Sequence, residues 1–170
     1  MSNYEIRAKK FIAEVYPYIK DCGDNFDFSV AIRRFNRDHH RNVQIASGAT
    51  RVVMITSDYV IKVDYDGWGR GQFGSCADEA RMYRKAKRDG FAHLFAKITA
   101  VRKGYDRTFY IMPRIRGIGK KPYDATAYVG GDEYDYLDNN VGDLHHYNYG
   151  WKDGHIVMID YAYNSTLRHF

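Results

Sequence analysis

Between residues 43 and 64 the chain alternates three short apolar or β-branched runs with two turn signals, a spacing that leaves little choice of local fold. Val43 to Ile45 is followed by Ser47-Gly48-Ala49-Thr50, Arg51 to Thr56 by Ser57-Asp58, and Tyr59 to Asp64 closes the series. Short runs joined by small and Asx residues read as an antiparallel meander. Leu94 to Val101 and Thr108 to Met112, around the turn Gly104-Tyr105-Asp106, read as two further strands and complete a five-stranded antiparallel sheet.

Helical periodicity flanks the strands. Asn3 is placed to cap a helix running to about Lys20, with Ile6, Phe11, Ile12, Val15 and Ile19 as its apolar stripe. A second helix, from about Phe26 to Asp38, uses Phe28, Ala31, Ile32 and Phe35. Both stripes are expected to pack on the sheet or to mediate a dimer contact. Between the third and fourth strands, Ser75 to Arg88 repeats apolar or small residues at 76, 80, 83 and 86, with Ser75 as N-cap and Gly90 as the stop.

A chain of 170 residues, 45% apolar and 28% charged, makes one domain or two small lobes. The sequence contains no apolar run long enough to span a membrane, and the start Met1-Ser2-Asn3-Tyr4-Glu5 has no signal-peptide layout, so no membrane association and a cytoplasmic setting are expected. Cys22 and Cys76 lack metal or disulfide-framework spacing and read as reduced, structural thiols. His39-His40 lacks a further ligand at sensible spacing.

The chemistry concentrates in Val141-Gly142-Asp143-Leu144-His145-His146-Tyr147-Asn148 and in the Asp160 that follows the apolar run Ile156 to Ile159. Phosphoryl transfer needs a carboxylate beside the attacking hydroxyl and hard oxygen ligands for Mg²⁺. Asp143 suits the first role, and Asn148 with Asp160 the second. Read alone, the same residues are a turn and a buried strand. Upstream, Lys62 interrupts an apolar strand, where a lysine ordinarily snorkels to water. Glu79 sits near the start of the following helix, where an isolated acid would simply complement the helix dipole.

Taken together, Gly48 in a strand-turn-strand, Val60-Ile61-Lys62-Val63, Glu79, Asp143, Asn148 and Asp160 resemble the protein-kinase-like superfamily. The wording Gly142-Asp143-Leu144-His145, with Asp160-Tyr161-Ala162 in place of D-F-G, is closer to aminoglycoside and small-molecule kinases, or to atypical and phage-borne ones. The likeness covers roughly residues 43 to 163. It implies an α+β fold with an N-terminal helical segment (1–40), an N-lobe-like nucleotide-binding sheet (41–117) and a reduced C-lobe with a catalytic loop and metal-binding hairpin (118–170). It further implies ATP and Mg²⁺ as cofactors, catalytic roles for Asp143, Lys62 and Glu79, nucleotide contacts from Gly48, Thr50, Lys62 and Met112, and metal ligation by Asn148 and Asp160. Met112-Pro113 would occupy the hinge, where backbone groups read the base.

The chain also departs from the family pattern. One glycine stands where the phosphate loop of protein kinases has several, leaving Thr50 and Arg51 to compensate. The richer run Gly67, Gly69, Gly71 and Gly74 follows the Lys62 strand and reads as a connection. The His or Arg before the catalytic Asp is replaced by Val141-Gly142. Only ten residues follow Asp160, so no full activation segment is expected. One helix around Tyr123 to Leu137, broken at Gly130-Gly131, is expected before the catalytic loop, and the tyrosines from Tyr123 onward are expected to fill a compact aromatic core. Lys152-Asp153-Gly154 should join Leu144–Trp151 to His155–Tyr161 as a hairpin, bringing Asn148 near Asp160.

Charge divides along the chain: 24 Lys and Arg against 13 Asp and Glu up to Lys121, then 2 against 8. A basic first part with an acidic last part fits a nucleotide held between cations and a metal-binding loop, and also a nucleic-acid binder using Arg81, Arg84, Lys85, Lys87 and Arg88, although such a run is usually a solvated helix face. Beside nucleic-acid binding through this helix, two further readings stay open. The first is a protein Ser or Thr as phosphate acceptor. The alternative is a non-catalytic kinase-like binding module, such as a virus-encoded inhibitor of a host protein.

Overall fold

The computed structural model describes residues 2–65, 74–118 and 128–161. The described residues form α1 (Asn3–Ile19), α2 (Asn25–His39), β1 (Gln44–Ser47), β2 (Arg51–Ile55), β3 (Tyr59–Asp64), α3 (Cys76–Asp89), β4 (Thr99–Val101), β5 (Phe109–Pro113), β6 (Arg116–Gly117), α4 (Gly131–Asn140), β7 (Tyr149–Lys152) and β8 (His155–Met158). This is a mixed α+β architecture built on a five-stranded antiparallel sheet. Two compact units divide the chain: residues 1–70 with 98–114, and residues 71–97 with 115–170. These boundaries differ from the three consecutive segments expected from the sequence. The N-terminal helices share a core with the sheet, and the Glu79 helix belongs with the C-terminal residues.

In the first unit the sheet order is β1-β2-β3-β5-β4, every pairing antiparallel. Successive strand side chains face opposite sides, so Tyr59, Ile61 and Val63 of β3 point one way and Val60, Lys62 and Asp64 the other. The first set joins Val52, Met54, Phe109 and Ile111 beneath α1 and α2. Ala8, Phe11, Ile12, Val15 and Ile19 of α1, with Phe28, Ala31, Ile32 and Phe35 of α2, complete this core. Each large apolar side chain buried there contributes about 1.5–3 kcal/mol relative to exposure.

Polar groups fix where the helices end and the sheet begins. The Asn36 amide acts as a miniature strand edge, donating from Nδ2 to the Val43 carbonyl at 2.9 Å and accepting the Val43 N–H at 2.9 Å. The Arg107 guanidinium donates to the Cys22 and Lys20 carbonyls at 2.8 and 2.9 Å, satisfying groups that α1 leaves unpaired as it ends. Both cysteines are free and buried.

In the second unit Ser75 caps α3, accepting the Asp78 N–H at 3.2 Å, and Gly90 ends the helix with a left-handed φ of 89°. A three-stranded sheet, β6-β7-β8, carries the hairpin. Its turn residues Asp153 (φ 51°) and Gly154 (φ 86°) are both left-handed, as a two-residue turn between twisted strands requires.

Several boundaries differ from the sequence expectation. The segment from Leu94 to Val101 is extended in register only over Thr99–Val101. Ala92–Leu94 is a short 3₁₀ turn, and Phe95 bridges to Met158 instead. Gly130-Gly131 does not interrupt a helix but begins one, with the Gly130 N–H donating to Glu133 at 2.9 Å. Residues 123–127, and Gly67, Gly69 and Gly71, lie outside the described residues. Among the described residues no helix is long and apolar enough to cross a membrane.

Candidate functional site

Gly48, Thr50, Lys62 and Met112 all belong to the first unit. Lys62 lies in the central strand, opposite Val53 of β2 and Tyr110 of β5. It is 5% exposed, so the snorkelling ordinarily expected of a mid-strand lysine is not what the fold adopts. Two residues along, Val60 pairs with Met112, which places Met112 on the same sheet face as Lys62, away from α1 and α2. Arg51 pairs with Asp64 on that face as well, at the end nearest the Gly48 turn.

The Gly48 turn is closed by its own backbone. Its N–H donates to the Arg51 carbonyl at 3.0 Å, and the Thr50 carbonyl accepts the Tyr65 N–H at 2.9 Å. A Cβ added at Gly48 would meet nothing closer than the Arg51 carbonyl at 4.0 Å, so the turn does not itself require glycine.

Glu79, Asp143, Asn148 and Asp160 all belong to the second unit, where hydrogen bonds connect them. Asn148 is buried, and its Nδ2 donates to the Asp143 carbonyl at 2.9 Å. The Asn148 carbonyl in turn accepts the N–H groups of Ile159 at 2.7 Å and Asp160 at 3.4 Å. Next along the chain, the Tyr161 N–H donates to Glu79 Oε1 at 3.2 Å. One buried asparagine thus ties the Asp143 loop to the Asp160 strand end, and one buried glutamate ties that strand end to α3.

The expected Asn148–Asp160 proximity is present, although the hairpin is shorter than expected. Pairing runs only over Tyr149–Lys152 and His155–Met158, because residues 146–148 coil into a 3₁₀ turn. That turn leaves the Asn148 backbone free to bridge forward to residues 159 and 160.

Tyr161 completes this arrangement from beneath. Its hydroxyl donates to the Ala96 carbonyl at 2.7 Å, and its ring meets Phe95 edge-on at 5.0 Å. Burial first, and the nearby Glu79 carboxylate second, hold its phenol well above the usual tyrosine range. Tyr149 and Tyr161 are buried as an aromatic core requires, whereas Tyr147 is 66% exposed and does not join it.

Two participants escaped sequence reasoning. His145 Nε2 lies 3.4 Å from Asp143 Oδ1. The histidine was visible in the motif, but a contact two residues away depends on the left-handed Gly142 (φ 75°) and on the 3₁₀ turn that follows. Gly150 is the second. A Cβ there would lie 2.6 Å from Ile115 Cγ2 and 2.8 Å from the Arg116 carbonyl, so β6 can approach β7 only over a glycine.

For metal binding, the donor chemistry suits a hard cation. The Asn148 amide nitrogen is engaged with the Asp143 carbonyl, and the Asp160 backbone N–H bonds the Asn148 carbonyl at 3.4 Å. No group of three or more His, Cys, Asp or Glu positioned for a metal occurs among the described residues. An oxygen pair is nevertheless what Mg²⁺ takes from a protein when phosphates and water complete its shell. The basic run of α3 is partly neutralised by its own acids: Arg81 pairs with Asp78, and Lys85 with Asp89 at 2.6 Å. No protein-family model matches the chain, and no curated protein matches it significantly.

Proposed function

We propose that this chain is a small kinase-like phosphotransferase that uses ATP and Mg²⁺ and passes the terminal phosphate to a hydroxyl, with a protein Ser or Thr as acceptor. The observation that carries the reading is the Asn148 linkage. The residues that carry a carboxylate suited to orient a hydroxyl, an amide oxygen and a second carboxylate are tied together through hydrogen bonds to their backbones, rather than scattered over unrelated turns.

In this reading Asp143 accepts the proton of the attacking hydroxyl, and His145 at 3.4 Å holds its carboxylate in position. Asn148 Oδ1 and the Asp160 carboxylate hold the metal, which when bound neutralises charge on the transferring phosphate. Glu79 fixes the backbone immediately after Asp160. Lys62 supplies the cation for the nucleotide phosphates, with Thr50 and Arg51 at the turn and Met112 on the same face toward the base. The burial of Lys62 in the central strand supports that role, since a structural strand would more simply carry an apolar residue there.

The test is a thermal shift with Mg²⁺ATP, which binding to the folded state alone raises by mass action. The shift should disappear in Lys62→Ala and shrink in Asp160→Asn. A shift that both variants retain would remove the assignment, and a stabilisation without turnover would point to the non-catalytic binding module.

A further inference from the structure

We propose that the outward face of α2 is a two-fold contact whose occupant is the same face of a second copy of this chain. Opposite its buried stripe, α2 carries Phe26, 71% exposed, and Val30, 44% exposed. Both stand on one wall of a groove of about 670 Å³ whose other wall includes Pro17 and Tyr18 of α1. An exposed phenylalanine and valine one helical turn apart leave apolar area in water that a contact would remove.

The flanking charges identify the occupant. Asp27 lies three residues before Val30 and Arg34 four residues after it, and both line the same groove. The Arg34 side chain is 70% exposed, with its pairing to Asp38 stretched to 3.9 Å. Asp27 accepts the Gly23 N–H only at 3.4 Å. Two copies of one helix packed antiparallel about an axis at Val30 bring each residue before the axis beside one an equal distance after it. Asp27 of each copy then meets Arg34 of the other to within one helical rise of about 1.5 Å. Val30 packs on Val30. Phe26 lies along the stems of Arg33 and Arg34, where a guanidinium over the ring adds to the contact. The acidic, apolar, basic order along α2 is therefore complementary to itself when reversed, which a second copy supplies by symmetry. A contact made by one helix pair is small, so the dimer is weak and concentration-dependent.

Sedimentation equilibrium of the full chain, from low micromolar to several hundred micromolar, tests this. The account expects conversion of monomer to dimer across that range. Phe26→Ser and Val30→Glu, both on exposed positions, should keep the chain monomeric with an unchanged circular-dichroism spectrum. Asp27→Arg or Arg34→Asp alone should weaken association at least about tenfold, and the two together should restore it. A chain that stays monomeric throughout, a dimer indifferent to all four substitutions, or a monomer whose Phe26 face is covered only by a different protein would each overturn the proposal.

Discussion

The backbone N–H of Tyr161 donates to the carboxylate of Glu79 at 3.2 Å, and Glu79 is fully buried. The acid that the sequence offers as a helix-borne site residue is thus bonded to the segment directly after Asp160. Glu79→Ala would leave a buried N–H without its acceptor, a loss of about 1–3 kcal/mol. Glu79→Gln keeps an oxygen in place. Urea unfolding should show the alanine variant melting at clearly lower denaturant than the glutamine variant, and equal midpoints would contradict the anchoring role.

Asn148 makes two kinds of bond, and they can be separated. Asn148→Ala removes the Nδ2 donor to the Asp143 carbonyl but leaves its own carbonyl bonded to Ile159. Amide hydrogen exchange should therefore show faster opening around residues 143–147, while Ile159 keeps its protection. Loss of protection at Ile159 as well would mean that the side chain, not the backbone, holds the strand end.

Much of this was legible beforehand where the signal is local. Ser75 and Gly90 bracket α3 because capping needs only the residues at its ends, and Asp153-Gly154 marks the hairpin because both positions need positive φ. Signals that depend on distant partners were not legible. Ile6 looked like part of the α1 stripe but is 51% exposed; the buried position is Ala8, which is in phase with Phe11, Ile12 and Val15 but too small to stand out. Residues 94–98 look like a strand, yet their pairing is decided by Met158, more than sixty residues away. Within the site, residue identities and order could be read, whereas the His145–Asp143 contact and the Asn148 bridge required the loop geometry.

The two glycines singled out by the fold should respond oppositely to a methyl group. Gly150→Ala places a Cβ 2.8 Å from the Arg116 carbonyl and should cost about 1–3 kcal/mol, read as a fall in melting temperature. Gly48→Ala meets only the Arg51 carbonyl, at an unstrained 4.0 Å, and should leave the melting temperature of the free chain unchanged. If Gly48 admits a nucleotide phosphate, the same variant should nonetheless weaken the Mg²⁺ATP shift.

The start of α4 carries a pH dependence. Glu133 accepts from His93 at 2.7 Å and from the Gly130 N–H at 2.9 Å. The His93 bond first, and the Gly130 bond second, hold its carboxyl below the ordinary value of 4.5. A depressed folded value stabilises the fold above the unfolded value, and the contribution is lost as pH falls from 4.5 through the folded one. Partly exposed, the pair contributes no more than about 1 kcal/mol. Glu133→Gln should flatten the stability profile below pH 4.5, as acid titration followed by circular dichroism would show, and an unaltered profile would contradict the pairing.

The most direct measurement of the central claim is transfer of labelled γ-phosphate from Mg²⁺ATP to proteins of a cell lysate by the purified chain. The account predicts labelling by the wild type and its loss in Asp143→Asn and in Asp160→Asn, each with a circular-dichroism spectrum like the wild type. Labelling that persists in either variant, or a wild type that binds Mg²⁺ATP and labels nothing, would contradict it.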